Sequence, residues 1–457
     1  MNNKVTDSLS SPIENILNKF KIFSENGFAS EPNWLKTIRE NSLKSFQKLG
    51  FPSQKNEEWR YTNINSITKL NFETSSNKEF LNYSKQSIYK YIISDSYYLV
   101  FVNGKYLQNL SNPPKEEGVI VNSIKDAIKL FPSEVENYFS KNIDLEANSF
   151  AALNTSLFDS GVFIKIKENV ILSKPIELIY ISQNQENIPQ LISPRNIIVI
   201  KNNASLDFVE QFVTNNSNKN LTNIFTEIYL DENSICNYLK IQNEVDENYH
   251  IANISVSQKT SSKFFSFAFS AGSSISRNQM ALKLFGENSD TNMNGLYIST
   301  AKQLIDNHTF IEHTQPNCTS REVFKGILYD NSHSVFNGKV YVHSAAQKTD
   351  SKQTNNNLLL SDNATIDTKP QLEIFADDVK CTHGGTVGGI DANALFYLKS
   401  RGISPKSAEA LFALGFASAV TETIENLNLR RFVDNLVVSK LEKCHGNISL
   451  PIIAHYH

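Results

Sequence analysis

Cys381 and His383 stand two residues apart in the run Lys380-Cys381-Thr382-His383, which reads as extended backbone. On a strand that spacing puts a thiol and an imidazole on one face. One soft and one borderline ligand together suit iron or zinc. Two ligands do not complete such a site, which usually takes three or four, so the others must come from elsewhere in the chain or from another chain. The ordinary alternative is a buried thiol and a hydrogen-bonded imidazole near a domain junction. Both groups bind metal unprotonated, so binding should weaken as pH falls. Gly384, Gly385, Gly388 and Gly389 follow, where the backbone can take conformations closed to other residues. Arg401-Gly402-Ile403 then leads through Ser404-Pro405 into a helix.

The remaining chemistry-bearing residues fit ordinary roles better. His308 and His313 are five apart and point to opposite faces if extended; with His333 and His343 they read as surface or turn histidines. Cys444-His445, His455 and His457 read as a mobile tail. Cys236 reads as a strand residue, and Cys318, between Asn317 and Thr319, as an exposed turn residue. Asp377 and Asp378 are adjacent and, on a strand, face opposite ways. No GxxxxGK[ST] loop is present, so the chain is not expected to hydrolyse ATP. GxSxG and HExxH are also absent.

The net charge of −3, with both signs interspersed, argues against a general nucleic-acid binder, which would carry a basic stripe. With 29 Phe and 17 Tyr the Asn- and Ser-rich chain is not a disordered composition. Four cysteines without CxxC spacing make no disulfide framework and point to a reducing compartment. The N-terminus lacks an apolar signal core, and no run approaches the ~20 apolar residues of a membrane span. A soluble cytoplasmic protein is expected.

These residues must be positioned by three regions. Residues 1–95 read as helical: Ile13, Ile16, Leu17, Phe20 and Phe23 follow Ser11-Pro12 at helical spacing, and Trp34, Leu35, Ile38, Ser42, Phe46 and Leu49 run to a stop at Gly50. From about Tyr97 short β-branched and aromatic runs take over, with nothing helical of length before about residue 365. A turn built on Asn169, Asn203, Asn233, Asn288, Asn331 and Asn363 recurs at spacings of 34, 30, 55, 43 and 32, with Thr260-Ser261-Ser262 filling the long gap. Spacing near 30 suggests stacked β-solenoid coils of two or three strands, with the end coils capped by the helical regions; a β-sandwich is the competitor. The coil region is expected over 96–388 and a helical region over 389–457. In the latter, Ser404 and Pro405 start a helix whose Ala408, Leu411, Phe412, Gly415, Phe416, Ala419 and Ile424 form one apolar face.

Two stretches resemble the SufB/SufD family, scaffold proteins of the SUF iron–sulfur cluster assembly machine, on its SufD side. The first runs through Lys369-Pro370, Leu372-Glu373-Ile374, Asp377 to Cys381, His383-Gly384, Thr386 to Gly388, Ile390-Asp391, Leu395 to Leu398 and Arg401-Gly402-Ile403. The second is Phe51-Pro52 with Glu57-Glu58-Trp59-Arg60-Tyr61-Thr62. Gly385 stands where alanine is common in the family. The resemblance implies a right-handed parallel β-helix flanked by helices, and a non-enzymatic scaffold working with SufB and the ATPase SufC, or a homodimer in isolation. It places His383, and Cys381 two before it, at an interface with SufB. It implies no permanently bound cofactor, only transient iron or an iron–sulfur cluster shared with SufB. It assigns SufC docking to the stretch from Arg401 to about Ala419, within which Arg401, Gly402, Ile403, Ala408, Leu411, Phe412, Gly415 and Phe416 are the candidates. Neither nucleic acid nor membrane is an expected partner. The alternative function is a secreted-type carbohydrate-active β-helix enzyme, disfavoured by the missing signal core and by the helical ends.

Overall fold

The computed structural model describes residues 12–28, 31–73, 83–183, 188–215, 219–446, 448 and 450. Ser11, His455 and His457 lie outside them.

Two ten-stranded sheets face each other, and from Arg195–Ile200 onward successive strands alternate between them. Apart from two antiparallel pairs near the start, Tyr97–Val102 with Lys105–Tyr106 and Val119–Ser123 with Val162–Ile166, each strand pairs in parallel with the next one in its own sheet, a coil later. Tyr249 registers with Ile275, Ile275 with Leu304, Leu304 with His333 and His333 with Thr365. The result is a parallel β-solenoid with two strands per coil. Identical faces stack from coil to coil, so like side chains form ladders in the interior. Phe101, Tyr180 and Phe212 stack at centroid spacings of 4.8 and 5.2 Å, close to the strand spacing.

The turn repeat is real and is most regular along one edge. Asn169, Asn203, Asn233, Ser261, Asn288, Asn317 and Lys348 all sit in the left-handed region, with φ between 57° and 62°. Most of them donate their N–H along the axis to the next coil: Asn203 to Glu232, Asn233 to Thr260, Ser261 to Glu287, Lys348 to Asp378. Asparagine tolerates that conformation best, which is why it marked the repeat. Asp330-Asn331 and Asp362-Asn363 belong to the opposite edge, between the strands Thr319–Leu328 and His333–Val342 and between Asp350–Leu359 and Thr365–Ile374. Ser261 fills the long gap, and Asn317 and Lys348 continue the series.

Helices do intervene within the strand region, contrary to the sequence expectation. They span Ile124–Leu130, Pro132–Tyr138 and Ser149–Leu157. The first two are seven residues each, too short for a periodic pattern to stand out. The third is buried on every side, so its pattern is not amphipathic.

The helical regions do not cap the coils; they cover the flanks. Ile16, Phe46, Ile64 and Ile67 pack with Leu221, Tyr249, Ile251 and Ile275 on the outside of one sheet. Ala410, Ala413, Leu414 and Ala417 pack with Leu239, Phe267, Leu296 and Ile327 on the outside of the other. The solenoid is thus clad on both faces, while among the described residues nothing covers its last coil. Thr365–Ile374 ends one sheet and Lys380–Gly388 ends the other.

Candidate functional site

The bare coil carries the candidate pair Cys381 and His383. A coil strand normally bonds neighbours above and below; among the described residues the two end strands bond only below. Lys380 donates its N–H to Thr349 O. In a parallel ladder alternate residues direct their backbone groups to opposite sides. The N–H and C=O of Cys381, His383, Gly385 and Val387 therefore face the free edge, a template for a further strand. Apolar side chains crowd the same end: Ile374 is 38% exposed, Phe375 59% and Val387 49%.

The register settles which way Cys381 and His383 point. Cys381 lies over Ser351 and His383 over Gln353. Both lower residues are buried, 2% and 1% exposed, and face the solenoid interior. Paired residues of parallel strands share a face, so the thiol and the imidazole both face the interior at the level where it opens. Cys381 still packs against the core and is half-buried, whereas His383 is exposed. Burial pushes the Cys381 thiol up; the Ser351 backbone N–H opposes this and Asp350 adds to it. The free protein therefore holds a thiol there, and a metal must displace its proton. Among the described residues no group of three or more His, Cys, Asp and Glu is placed to hold a metal.

Below it the interior is polar. Gln353 Nε2 donates to Glu322 Oε2 at 2.6 Å. His313 Nε2 lies 2.9 Å from Ser320 Oγ, which donates to Ser351 Oγ at 2.8 Å. Burial pulls His313 down to about 4 and pushes Glu322 up to about 7, the latter opposed by hydrogen bonds from Gln353 and Thr309. Sequence reading missed Glu322 and Gln353 because single polar residues inside a strand carry no motif; only their register with His383 distinguishes them.

The other candidates sit as follows. His308 and His313 do face opposite ways, but neither is a surface residue: His308 is 6% exposed and His313 0%. Cys318 is buried in its turn, its thiol donating to Gly286 O at 3.3 Å, rather than exposed. Cys236 is buried in its strand. Asp377 and Asp378 lie in the turn before the last strand, not on a strand, and Asp378 pairs with Lys348. His343 pairs with Glu312 and His333 with Asp367.

Near the bare coil the helix Ala392–Ser400 has no buried residue and presents Phe396 and Tyr397, 72% and 57% exposed. Arg401 donates to Tyr397 Oη at 3.0 Å. The helix Pro405–Thr421 is turned differently from the expected apolar face. Its buried side is Ala408, Ala410, Ala413, Leu414, Ala417 and Val420. Alanines let the helix lie close on the sheet, and a helix apolar all round gives no pattern to choose its inner side. Ala408 is therefore inaccessible to a partner. Leu411, Phe412 and Phe416 are part-exposed, Ile403 likewise, and Arg401, Gly402 and Gly415 are open.

The upstream element has a structural job. Arg277 lies over the Trp59 ring at 3.9 Å and pairs with Asp306. Thr62 Oγ1 donates to Asp306 Oδ2 at 2.5 Å. His308 bridges Asp306 Oδ1 at 2.9 Å and Glu58 Oε2 at 3.1 Å, and Lys369, on the last coil, pairs with Glu57 at 2.6 Å. The motif is a clasp laid across several coils and reaching the bare one.

Two family models match the chain: SufBD protein N-terminal region over residues 14–178, and SUF system FeS cluster assembly, SufBD core domain, over residues 180–416. The iron-sulfur cluster assembly protein SufD of Escherichia coli (strain K12) is 32% identical, over 86% of this chain and 90% of that protein. A protein of the same name from Bacillus subtilis (strain 168) is 25% identical over 92% and 97%. An iron-sulfur cluster assembly SufBD family protein of Synechocystis is 28% identical over 88% and 90%. The carbohydrate-active alternative finds no support among them.

Proposed function

Because this chain belongs to the SufBD family of SUF-system iron–sulfur cluster assembly proteins, on its SufD side, we propose that it is a non-catalytic cytoplasmic scaffold subunit. It works there with SufB and the ATPase SufC in iron acquisition or cluster formation. The observation that carries this reading is the bare last coil, with Cys381 and His383 on its inward face. A second solenoid adding its own end strands to this edge would satisfy the free backbone groups, bury Ile374 and Val387, and bring further ligands to the pair. Iron or a nascent cluster is cargo at that junction, held transiently and shared with SufB. An isolated chain offers the same edge to a second copy of itself.

SufC docks on the part-exposed shoulder formed by Arg401, Gly402, Ile403, Leu411, Phe412, Gly415 and Phe416, and we add Phe396 and Tyr397 to that surface. The helix Pro405–Thr421 is packed directly on the sheet that ends in Lys380–Gly388. Movement of SufC would reach the junction through that contact.

Co-expression with SufB and SufC tests the reading. A stable complex containing all three is the expected outcome. Purification of this chain free of both, with SufB and SufC themselves folded, would contradict it.

A further inference from the structure

His383 ends a column of inward-facing residues whose two preceding members are Glu322 and Gln353. Glu322 on Thr319–Leu328 registers with Gln353 on Asp350–Leu359, and Gln353 with His383. The middle residue is held by the lower one, through the 2.6 Å bond from Gln353 Nε2 to Glu322 Oε2. Above about pH 7, where Glu322 is ionised, its carboxylate only accepts and so selects the NH2 side of the amide. That turns Gln353 Oε1 away from Glu322. Oε1 is buried and has no hydrogen-bond partner among the described residues. Such an atom is costly to leave unmade. Gly338, across the interior, leaves the amide its room, since a Cβ there would lie 2.2 Å from Gln353 Nε2. The side chain next along the column is His383.

We propose that Gln353 is the positioning residue for His383. Its side-chain oxygen, oriented by Glu322, accepts one imidazole N–H and leaves the other ring nitrogen unprotonated and directed out of the open end. A metal-binding histidine commonly has its second nitrogen fixed in this way, which sets both tautomer and ring orientation. The inference rests on the proposed role of His383 as a ligand, and it assigns the residues that prepare that ligand before any metal arrives.

The test is the tautomeric state of His383 in the isolated, full-length chain at pH 8, read from long-range nitrogen–proton correlations of histidine-labelled protein. His383→Ala identifies the signals. Wild type is expected to show a single tautomer. Gln353→Met, which removes the acceptor at similar volume, is expected to show both. Exchanging the two groups, Glu322→Gln with Gln353→Glu, keeps an acceptor below the imidazole and is expected to restore the single form. Should Gln353→Met not fold, the isosteric Glu322→Gln replaces it: the amide is no longer oriented, and the single tautomer is lost. Comparable amounts of both forms in wild type, or one unchanged form in Gln353→Met or Glu322→Gln, would overturn the proposal. No metal or partner enters this measurement. Its failure is therefore distinct from failure of the ligand reading, which shows as unchanged cluster content in His383→Ala.

Discussion

Lysine at both Ile374 and Val387 is expected to abolish the partnership of this chain at its bare coil while leaving the chain folded. Both side chains belong to inward-facing ladders, over Val342 and Asn357, yet no further coil covers them among the described residues. In the proposed complex the partner buries them. Fully burying a large aliphatic side chain contributes about 1.5–3 kcal/mol, part of which the existing coil already supplies. Two ammonium groups in their place would have to be desolvated without partners, which costs several kcal/mol more. The association constant with SufB should fall by about 100-fold or more, since each 1.4 kcal/mol is about tenfold. Natural sheet edges use lysine in the same way to prevent pairing. Co-purification and sedimentation of the doubly substituted chain would show it. SufB binding at the wild-type level, with an unchanged melting profile, would remove the bare coil as the interface.

Asp306→Ala is expected to be the most damaging substitution outside that interface, lowering stability by about 3–5 kcal/mol, because it strands the buried Arg277 guanidinium. It also takes the partner from Thr62 and from one nitrogen of His308. The clasp should then release Trp59, whose fluorescence reports it in a Trp34→Phe background. Wild-type behaviour on acidification and alkalinisation follows from the same groups. Burial opposes the Asp306 charge, but Arg277 and His308 overcome it and hold the carboxyl well below its usual range. Its contribution is therefore complete above the unfolded value near ~3.9 and is lost only as pH falls through the lower folded value. Glu58 behaves alike, held down mainly by its hydrogen bond from His308. For His308 burial opposes the charge, and Asp306 nevertheless raises it. Its contribution is complete below ~6.5 and fades as pH rises through the raised folded value. The clasp should be tightest between roughly pH 4.5 and 6.5 and loosen on either side. A Trp59 signal that tracks only global unfolding, with Asp306→Ala no less stable than wild type, would show that the clasp is not a stabilising element.

The solenoid was legible because left-handed corners select asparagine, and Asn169, Asn203, Asn233 and Asn288 fell at coil spacing. Ser261, placed only by the 55-residue gap, took the same conformation; at Lys348 the signal vanished, and Asp330-Asn331 and Asp362-Asn363 on the other edge imitated it. The pair Cys381/His383 was legible as a pair because strand alternation is a property of the backbone. Its setting was not: that helices clad the flanks and leave the last coil bare depends on which sheet each helix packs against, a tertiary fact. Nor could Glu58 and His308, 250 positions apart, be joined by pattern. The face of Pro405–Thr421 was misjudged because its apolar residues surround the axis, and the small ones went inward.

The central claim is that the inward imidazole at the bare coil handles cluster cargo. Its most direct test is anaerobic co-purification with SufB and SufC, wild type beside His383→Ala, with iron and acid-labile sulfide measured per complex. Loss of even an outer partner of a metal ligand typically costs 10–100-fold in affinity, so loss of the ligand itself should lower cluster content by about tenfold or more. The account predicts that fall with the three-protein complex intact. An intact complex with wild-type iron and sulfide would contradict it, leaving this chain an architectural subunit and His383 an ordinary edge residue.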